Sequence, residues 1–207
     1  MNLFESHLDC LLRNQDIEIK NKLDQISEQD IAELSDQDLA EKVCCLTADY
    51  SIQKHVELQS SKDNPFVEMR TLVDRNGKPL VSRMTGKPHE EAYVKYPFNV
   101  KGDIELLRYY PDDINLQGIL LEKGSDGIIY IVIPTRYYNN NLPEELIESV
   151  KREVREKFSK LSDCCRVINE IIGNYNSTIP TKIEKYIKNR RDIIKSHTDR
   201  SQLRAFD

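Results

Sequence analysis

Apolar residues recur at three- and four-residue spacing near the start of the chain, a period that is typical of helices. The pattern predicts one helix over residues 3–24. Ser27 and Ser35 each stand three positions before an aspartate, which is typical of helix N-caps, so two short helices are expected near residues 28–34 and 36–47. Residues 1–48 are therefore predicted to be helical.

The period changes to alternation over residues 49–135, which predicts a region rich in strands. Val67–Val73 and Leu80–Met84 flank an Asn-Gly pair, and that pair favours a tight hairpin turn. Gly118–Glu122 and Ile128–Pro134 predict a second hairpin with an Asp-Gly corner.

One further segment between the two hairpins alternates in the same way. Tyr93–Val100 contains Pro97, and because proline cannot donate to a sheet ladder, an edge or bulged strand is expected there.

Helical spacing returns over residues 142–196. Pro143 and Glu144 are typical of a helix start. Gly173 and Asn174 are expected to end or interrupt this helix, and a last helix is predicted to follow.

Strands that are grouped together, instead of alternating with helices, predict an α+β fold. We expect N-terminal short helices, a central, mostly antiparallel sheet with two hairpins, and two C-terminal helices packed on that sheet. The expected organisation is a single domain over residues 1–207, and no internal repeat is recognised.

The chain of 207 residues has a formal net charge of −5, which is unevenly distributed. Residues 1–64 carry a net charge of −8, residues 65–141 are neutral, and residues 142–207 carry +3. This overall charge argues against a generic binder of polyanions. The scarcity of glycine (7) and proline (8) excludes collagen-like and low-complexity classes.

The sequence favours a cytoplasmic protein without a membrane segment. No stretch approaches the about 20 apolar residues of a membrane-spanning helix, and Met1–Arg13 does not have the pattern of a signal peptide. The five cysteines include two adjacent pairs, Cys44-Cys45 and Cys164-Cys165, which favours reduced thiols packed in a core.

Motifs that hold phosphates, zinc or a catalytic serine are absent from the sequence. We therefore expect no catalytic residue, no cofactor and no metal ligand, and an enzyme is the less favoured interpretation. One enzymatic alternative stays open, a metal-dependent hydrolase or nuclease built around Asp103, Asp113 and Glu122.

A second alternative is a nucleic-acid-binding domain that uses the basic last helix. Such a surface would contact phosphates with its cations and stack on its tyrosine. The candidate contacts, to nucleic acid or to a protein partner, are Lys182, Lys185, Tyr186, Lys188, Arg190 and Arg191. In the competing interpretation, this face pairs with the acidic N-terminal helices.

Gly102 and Asp103 are expected to have a structural role. Glycine supplies an unusual backbone conformation at a strand end, and the aspartate can cap the following turn.

Several short segments resemble a pattern in uncharacterised amino-terminal modules of bacterial multidomain proteins. The matching residues are Asp49–Ile52, Tyr96–Asp103, Leu106-Leu107, Tyr110-Pro111, Ile168-Asn169, Tyr175-Asn176, Ile187 and Arg190-Arg191. Such modules are often followed by effector domains and look like parts of antiviral or conflict systems. The resemblance implies no catalytic residues, and it implies that the activity lies in an attached or partner effector.

The favoured hypothesis is a non-enzymatic interaction, sensing or scaffold module of a bacterial system, which could be antiphage defence. It would act through a protein partner or through self-association, because the long C-terminal helices offer apolar stripes for docking.

Overall fold

A computed structural model describes residues 4–112, 114–124 and 128–204, with side chains to His197 at the carboxyl end. The helices are α1 (Leu8–Asp24), α2 (Glu28–Glu33), α3 (Asp36–Tyr50) and α4 (Glu144–Arg204). The strands are β1 (Val56–Ser60), β2 (Phe66–Thr71), β3 (Glu90–Gly102), β4 (Leu120–Lys123) and β5 (Ile129–Pro134). A 3₁₀ turn spans Ile104–Arg108, and two-residue extended segments lie at Ser6–His7 and Tyr109–Tyr110. The predicted α+β class is confirmed.

The chain divides into two compact units. The sheet unit comprises Met1–Glu5 and His55–Ile168, and the helical unit comprises Ser6–Lys54 and Asn169–Asp207. The expectation of a single domain over residues 1–207 stays a prediction. No helix in the described ranges combines the length and the apolar character needed to cross a bilayer.

Local capping explains where the short helices of the helical unit begin. The Ser27 hydroxyl accepts a hydrogen bond from the Asp30 amide at 3.0 Å. Ser35 forms a full capping box, because its hydroxyl accepts from the Asp38 amide and the Asp38 carboxylate accepts from the Ser35 amide. The two N-caps predicted from sequence are confirmed.

The prediction of two C-terminal helices is wrong, because α4 continues without a break through Gly173 and also through Pro180. One interior glycine costs a helix only about 1 kcal/mol. On both sides of Gly173, Ile172, Tyr175 and Ile179 are buried, and this apolar burial outweighs the local penalty.

The sheet is antiparallel throughout, with strand order β1-β3-β5-β4 and with β2 also paired to β3. The predicted second hairpin is confirmed, since β4 pairs with β5 in the register Leu121↔Ile131. Its Asp-Gly corner, Asp126-Gly127, lies outside the described residues.

The predicted first hairpin is only partly correct. Strand β2 pairs with β3 in the register Phe66↔Lys95, whereas Leu80–Met84 forms no strand. The intervening segment Leu72–His89, here called the arm, holds two isolated bridges instead of a continuous ladder. Pro79 and Pro88 each occupy one side of a bridge, and a residue without an N–H cannot extend a ladder.

Strand β3 is central, and not the edge strand that its proline suggested. It pairs with β5 on one side and with both β1 and β2 on the other. The register leaves Tyr96 and Pro97 in the gap between β1 and β2, and a strand tolerates proline where a neighbouring strand is missing.

Alternation along the central strands places one sheet face in the core of the sheet unit. Val94, Phe98, Ile131 and Ile133 pack with three residues of α4, namely Val150, Val154 and Leu161. The rings of Phe98 and Phe158 stack with centroids 4.6 Å apart. The other face of the sheet is therefore left to polar and aromatic side chains.

Candidate functional site

Gly102 and Asp103 form a tight junction between the end of β3 and the 3₁₀ turn. Gly102 has φ +92°, and a Cβ at this position would lie 2.1 Å from the carbonyl oxygen of His55. The Asp103 amide donates to that same oxygen at 2.7 Å. The Asp103 Oδ1 accepts from the Glu105 amide at 2.8 Å and so caps the turn.

A network of charged side chains lies on the sheet face opposite the core. Arg70 donates to both oxygens of Glu122 at 2.6 and 2.9 Å, and its Nε donates to Glu68 at 2.7 Å. Lys95 bridges the same two carboxylates at 2.9 and 2.8 Å. Arg70 also lies over the Tyr93 ring, 4.7 Å from its centroid. Two cations and two anions thus neutralise each other within this network.

The contacts in the network fix its charge state. Hydrogen bonds from Arg70, and more weakly from Lys95, lower the pKa of Glu122 to about 2 despite its partial burial. Hydrogen bonds from Lys95 and Arg70 lower the pKa of Glu68. Burial opposes the charged form of Lys95, but its bonds to the two carboxylates outweigh burial and raise its pKa. None of these three groups is therefore poised to exchange protons near pH 7.

The structure places the residues of the hydrolase hypothesis in separate roles. Glu122 is held by two cations, and Asp103 caps a turn. Asp113 lies outside the described residues. Within the ranges that the structure describes, no three His, Cys, Asp or Glu side chains are grouped to hold a metal ion.

The basic face of α4 contacts α1 within the helical unit. Lys182 pairs with Asp16 at 2.8 Å and lies 4.4 Å from the centroid of the Tyr175 ring. The Tyr175 hydroxyl donates to the same Asp16 carboxylate at 2.7 Å. Tyr186 donates to Asp24.

Two arginines of α4 bind backbone carbonyls in the helical unit. Arg190 donates to the carbonyls of Leu23 and Ile26 at 2.6 and 3.2 Å, so a cation is placed at the C-terminal end of α1. Arg191 donates to the Leu34 carbonyl at 2.9 Å.

The two remaining candidates on α4 differ in their contacts. Lys188 pairs with Glu184 on its own helix at 2.5 Å. Lys185 is exposed and has no ion-pair partner in the described part of the chain. All candidates on this helix except Lys185 are therefore engaged inside the protein.

Replacing Arg190 by methionine is expected to lower the free energy of unfolding by about 1–3 kcal/mol, since two carbonyls lose a charged donor. The matched control is Lys185→Met on the same helix, which is expected to stay within about 0.5 kcal/mol of the wild type. Urea denaturation followed by circular dichroism measures both changes. Equal effects of the two substitutions would contradict the assignment of Arg190 to a structural role.

The arm between β2 and β3 consists of two turns with nearly the same sequence. The first turn, Val73–Pro79, reads Val-Asp-Arg-Asn-Gly-Lys-Pro, and the second, Val81–Pro88, reads Val-Ser-Arg-Met-Thr-Gly-Lys-Pro. Both begin with Val-x-Arg and end with Gly-Lys-Pro, and the second has one extra residue between these two parts. A bridge between the valine and the proline closes each copy. The expectation of no internal repeat is therefore wrong for this segment, because Val-x-Arg…Gly-Lys-Pro occurs twice in the sequence.

The two turns also share their hydrogen bonds. The amides of Asp74 and Ser82 donate to the carbonyls of Lys78 and Lys87 at 2.8 and 2.9 Å. The side chains of Asp74 and Ser82 accept from backbone amides inside their own turns. Gly77 and Gly86 adopt φ +75° and +68°, a region that glycine enters without strain.

The side chains of the arm are directed to solvent. Its four cations, Arg75, Lys78, Arg83 and Lys87, are exposed and have no ion-pair partner among the residues that the structure describes. Apolar side chains stand beside them, and Met84 is 95% exposed. The arm therefore combines uncompensated positive charge with exposed apolar surface.

The adjacent cysteine pairs have different environments. Cys164 and Cys165 are buried, and burial raises the pKa of each thiol to about 12. Cys44 and Cys45 are exposed, so the expectation of core packing is wrong for this pair. They lie on the side of α3 that faces away from buried Leu39 and Leu46.

Comparison with known proteins finds no matching family model, no significantly similar curated protein and no significantly similar solved structure.

Proposed function

We propose that this chain is a non-enzymatic interaction module that binds its partner through the arm, Leu72–His89. The observation that carries this proposal is the combination of exposure and unpaired charge on the arm. The cations of the sheet network and Lys182 and Arg190 of α4 have carboxylate or carbonyl partners, whereas the four cations of the arm have none among the described residues.

The way the arm is built also supports a binding role. Glycines with positive φ, side-chain acceptors and Val–Pro bridges hold two turns in defined shapes. A loop that is ordered by its own hydrogen bonds loses less conformational entropy on binding than a disordered one. Exposed Val73, Leu80, Val81 and Met84 add apolar surface that a partner would bury.

The resemblance to amino-terminal modules of bacterial conflict proteins supports the same proposal. In those proteins such modules are often followed by effector domains, so a binding role for the module leaves the chemistry to the effector. A role in a bacterial antiphage system is part of this proposal.

Photo-crosslinking tests whether the arm contacts a partner. The exposed Met84 is replaced by p-benzoylphenylalanine, and the full chain is irradiated in its native cells. We expect a discrete adduct, which contains a second macromolecule or a second copy of the chain.

The matched control carries the same crosslinker at Ile17, which is 56% exposed on α1. This control is expected to give no such adduct. If Met84 gave no discrete adduct, or if Ile17 gave the same one, the arm would not be the partner surface.

A further inference from the structure

We infer that the ligand of the arm is double-stranded DNA, an inference that rests on the proposed function of the arm. It is drawn from the repeated cationic turns, from the kinds of side chain that the arm contains, and from the shape of the turns.

The positive charge of the arm is repeated. Each turn presents one arginine and one lysine on either side of its glycine, so the same pair of cations occurs twice in tandem. A duplex carries a regularly repeated phosphate charge, about one per 1.7 Å of its axis. A repeated cationic unit matches a ligand with a repeated anionic unit. The folded surface of an acidic protein has no such regularity.

The arm has a net positive charge. Its four cations accompany one acidic residue, Asp74, which lowers the net charge of the arm to +3. Asp74 already accepts two backbone amides of its own turn. The cations are thus available for phosphates, even though the whole chain is acidic.

The side chains of the arm suit a duplex better than a single strand. Proteins that bind single strands stack bases on aromatic side chains. The arm contains no Phe, Tyr or Trp. It offers cations and aliphatic groups, which suit the backbone and the grooves of a duplex.

The shape of the arm favours DNA over RNA. The major groove of B-form DNA, about 12 Å wide, admits a two-stranded β-ribbon. The major groove of double-stranded RNA is too deep and narrow for side chains to read. The turn Val81–Pro88 is closed by an isolated Val–Pro bridge and by the hydrogen bond from the Ser82 amide to the Lys87 carbonyl, so it is a short closed turn that needs no more width than such a ribbon.

Met84 gives the arm an apolar tip. It is 95% exposed in the second turn and directly follows Arg83. In the major groove, apolar side chains contact the methyl groups of thymine bases. Met84 is placed to make this kind of contact.

Fluorescence anisotropy with a labelled duplex of about 20 base pairs tests the inference. The full chain is titrated at 50 mM and at 200 mM salt. With four phosphate contacts, log K against log salt has a slope of about −3 to −4, so affinity is expected to fall by about 10²-fold between the two conditions.

The arm variant R75Q/K78Q/R83Q/K87Q keeps Asp74, Ser82 and both glycines of the turns. It is expected to bind at least about 10²-fold more weakly at 50 mM salt and to lose most of the salt dependence. The control K20Q/K22Q/K185Q/K195Q removes the same charge from exposed lysines of the helical unit. Its affinity is expected to stay within about threefold of the wild type.

Met84→Ala tests the apolar contact separately. It is expected to weaken binding about tenfold, the effect of leaving the apolar surface of a methionine unburied, and to leave the salt slope unchanged. An unchanged affinity for Met84→Ala would overturn the role of Met84 as an apolar contact to the duplex.

Several results would overturn the inference of DNA binding. The inference is wrong if the DNA duplex does not bind at 50 mM salt, or if single-stranded DNA or an RNA duplex binds as tightly or more tightly. It is also wrong if the control variant binds the duplex as weakly as the arm variant does. A nuclease-resistant adduct between the crosslinker at position 84 and a protein would also exclude DNA as the ligand of the arm, but it would be consistent with the proposed function. Loss of both the DNA binding and the Met84 adduct would reject both proposals.

Discussion

Replacing Gly102 by alanine is expected to lower the free energy of unfolding of the sheet unit by more than about 2 kcal/mol. A side chain in the left-handed region costs roughly 1–2 kcal/mol by itself. In addition, the new Cβ would lie 2.1 Å from the His55 carbonyl oxygen. That oxygen accepts a hydrogen bond from Asp103 at 2.7 Å, so moving it away would also weaken this bond.

The matched control is Gly86→Ala in the arm. Gly86 also has positive φ, +68°, but no atom lies within 4 Å of the position that a Cβ would take there. Only the conformational cost of about 1 kcal/mol is expected at this residue. Urea denaturation measures both variants, and equal losses would show that the close approach of the His55 carbonyl adds no cost to a side chain at position 102.

Acidification from pH 7 to pH 3 is expected to remove about 1 kcal/mol of the stability that Glu122 contributes. Its pKa is lowered from the ordinary 4.5 to about 2, mainly by the hydrogen bonds from Arg70. Between these two pKa values the unfolded chain binds more protons than the folded chain. The contribution is therefore complete above about pH 4.5 and is lost as the pH falls towards 2. Partial exposure, 30% for this side chain, keeps the figure below the full linkage value.

Glu122→Gln should remove this part of the pH dependence, because the glutamine does not titrate. Glu57→Gln is the control, since Glu57 is more exposed and lies 3.9 Å from Lys101. Urea denaturation at pH 7, 5 and 3 gives the three profiles. A Glu122→Gln profile that fell as steeply as the wild type would contradict the assignment.

Local features could be predicted from the sequence because they depend on neighbouring residues. The N-caps at Ser27 and Ser35 and the hairpin of β4 and β5 belong to this class. The continuity of α4 could not be predicted from Gly173, since burial of its apolar stripe decides the outcome and burial depends on the whole unit.

The pairing of β2 with β3 is non-local, and the strong Asn-Gly turn signal favoured a different partner. The charged network depends on that pairing, because the register of β2 and β3 places Glu68 and Arg70 on the same sheet face as Lys95. A short sequence window determines neither the register nor the strand order.

The folded structure shows which of the charged side chains are paired with each other. In the helical unit, cations of α4 bind acidic side chains and carbonyls of the N-terminal helices. In the sheet unit, the network on the open face is neutral, whereas the arm keeps a net charge of +3. The surface best suited to an anionic partner is therefore the arm and not the basic helix, which the sequence offered as an alternative.

The most direct test compares the arm variant with the control variant in binding the DNA duplex at 50 mM salt. Both variants lose four positive charges, so a difference between their affinities for the duplex shows which of the two sets of cations contacts it. We predict at least about 10²-fold weaker binding for the arm variant and at most about threefold for the control. An arm variant that bound the duplex as tightly as the wild type would contradict the assignment of the arm as the binding surface.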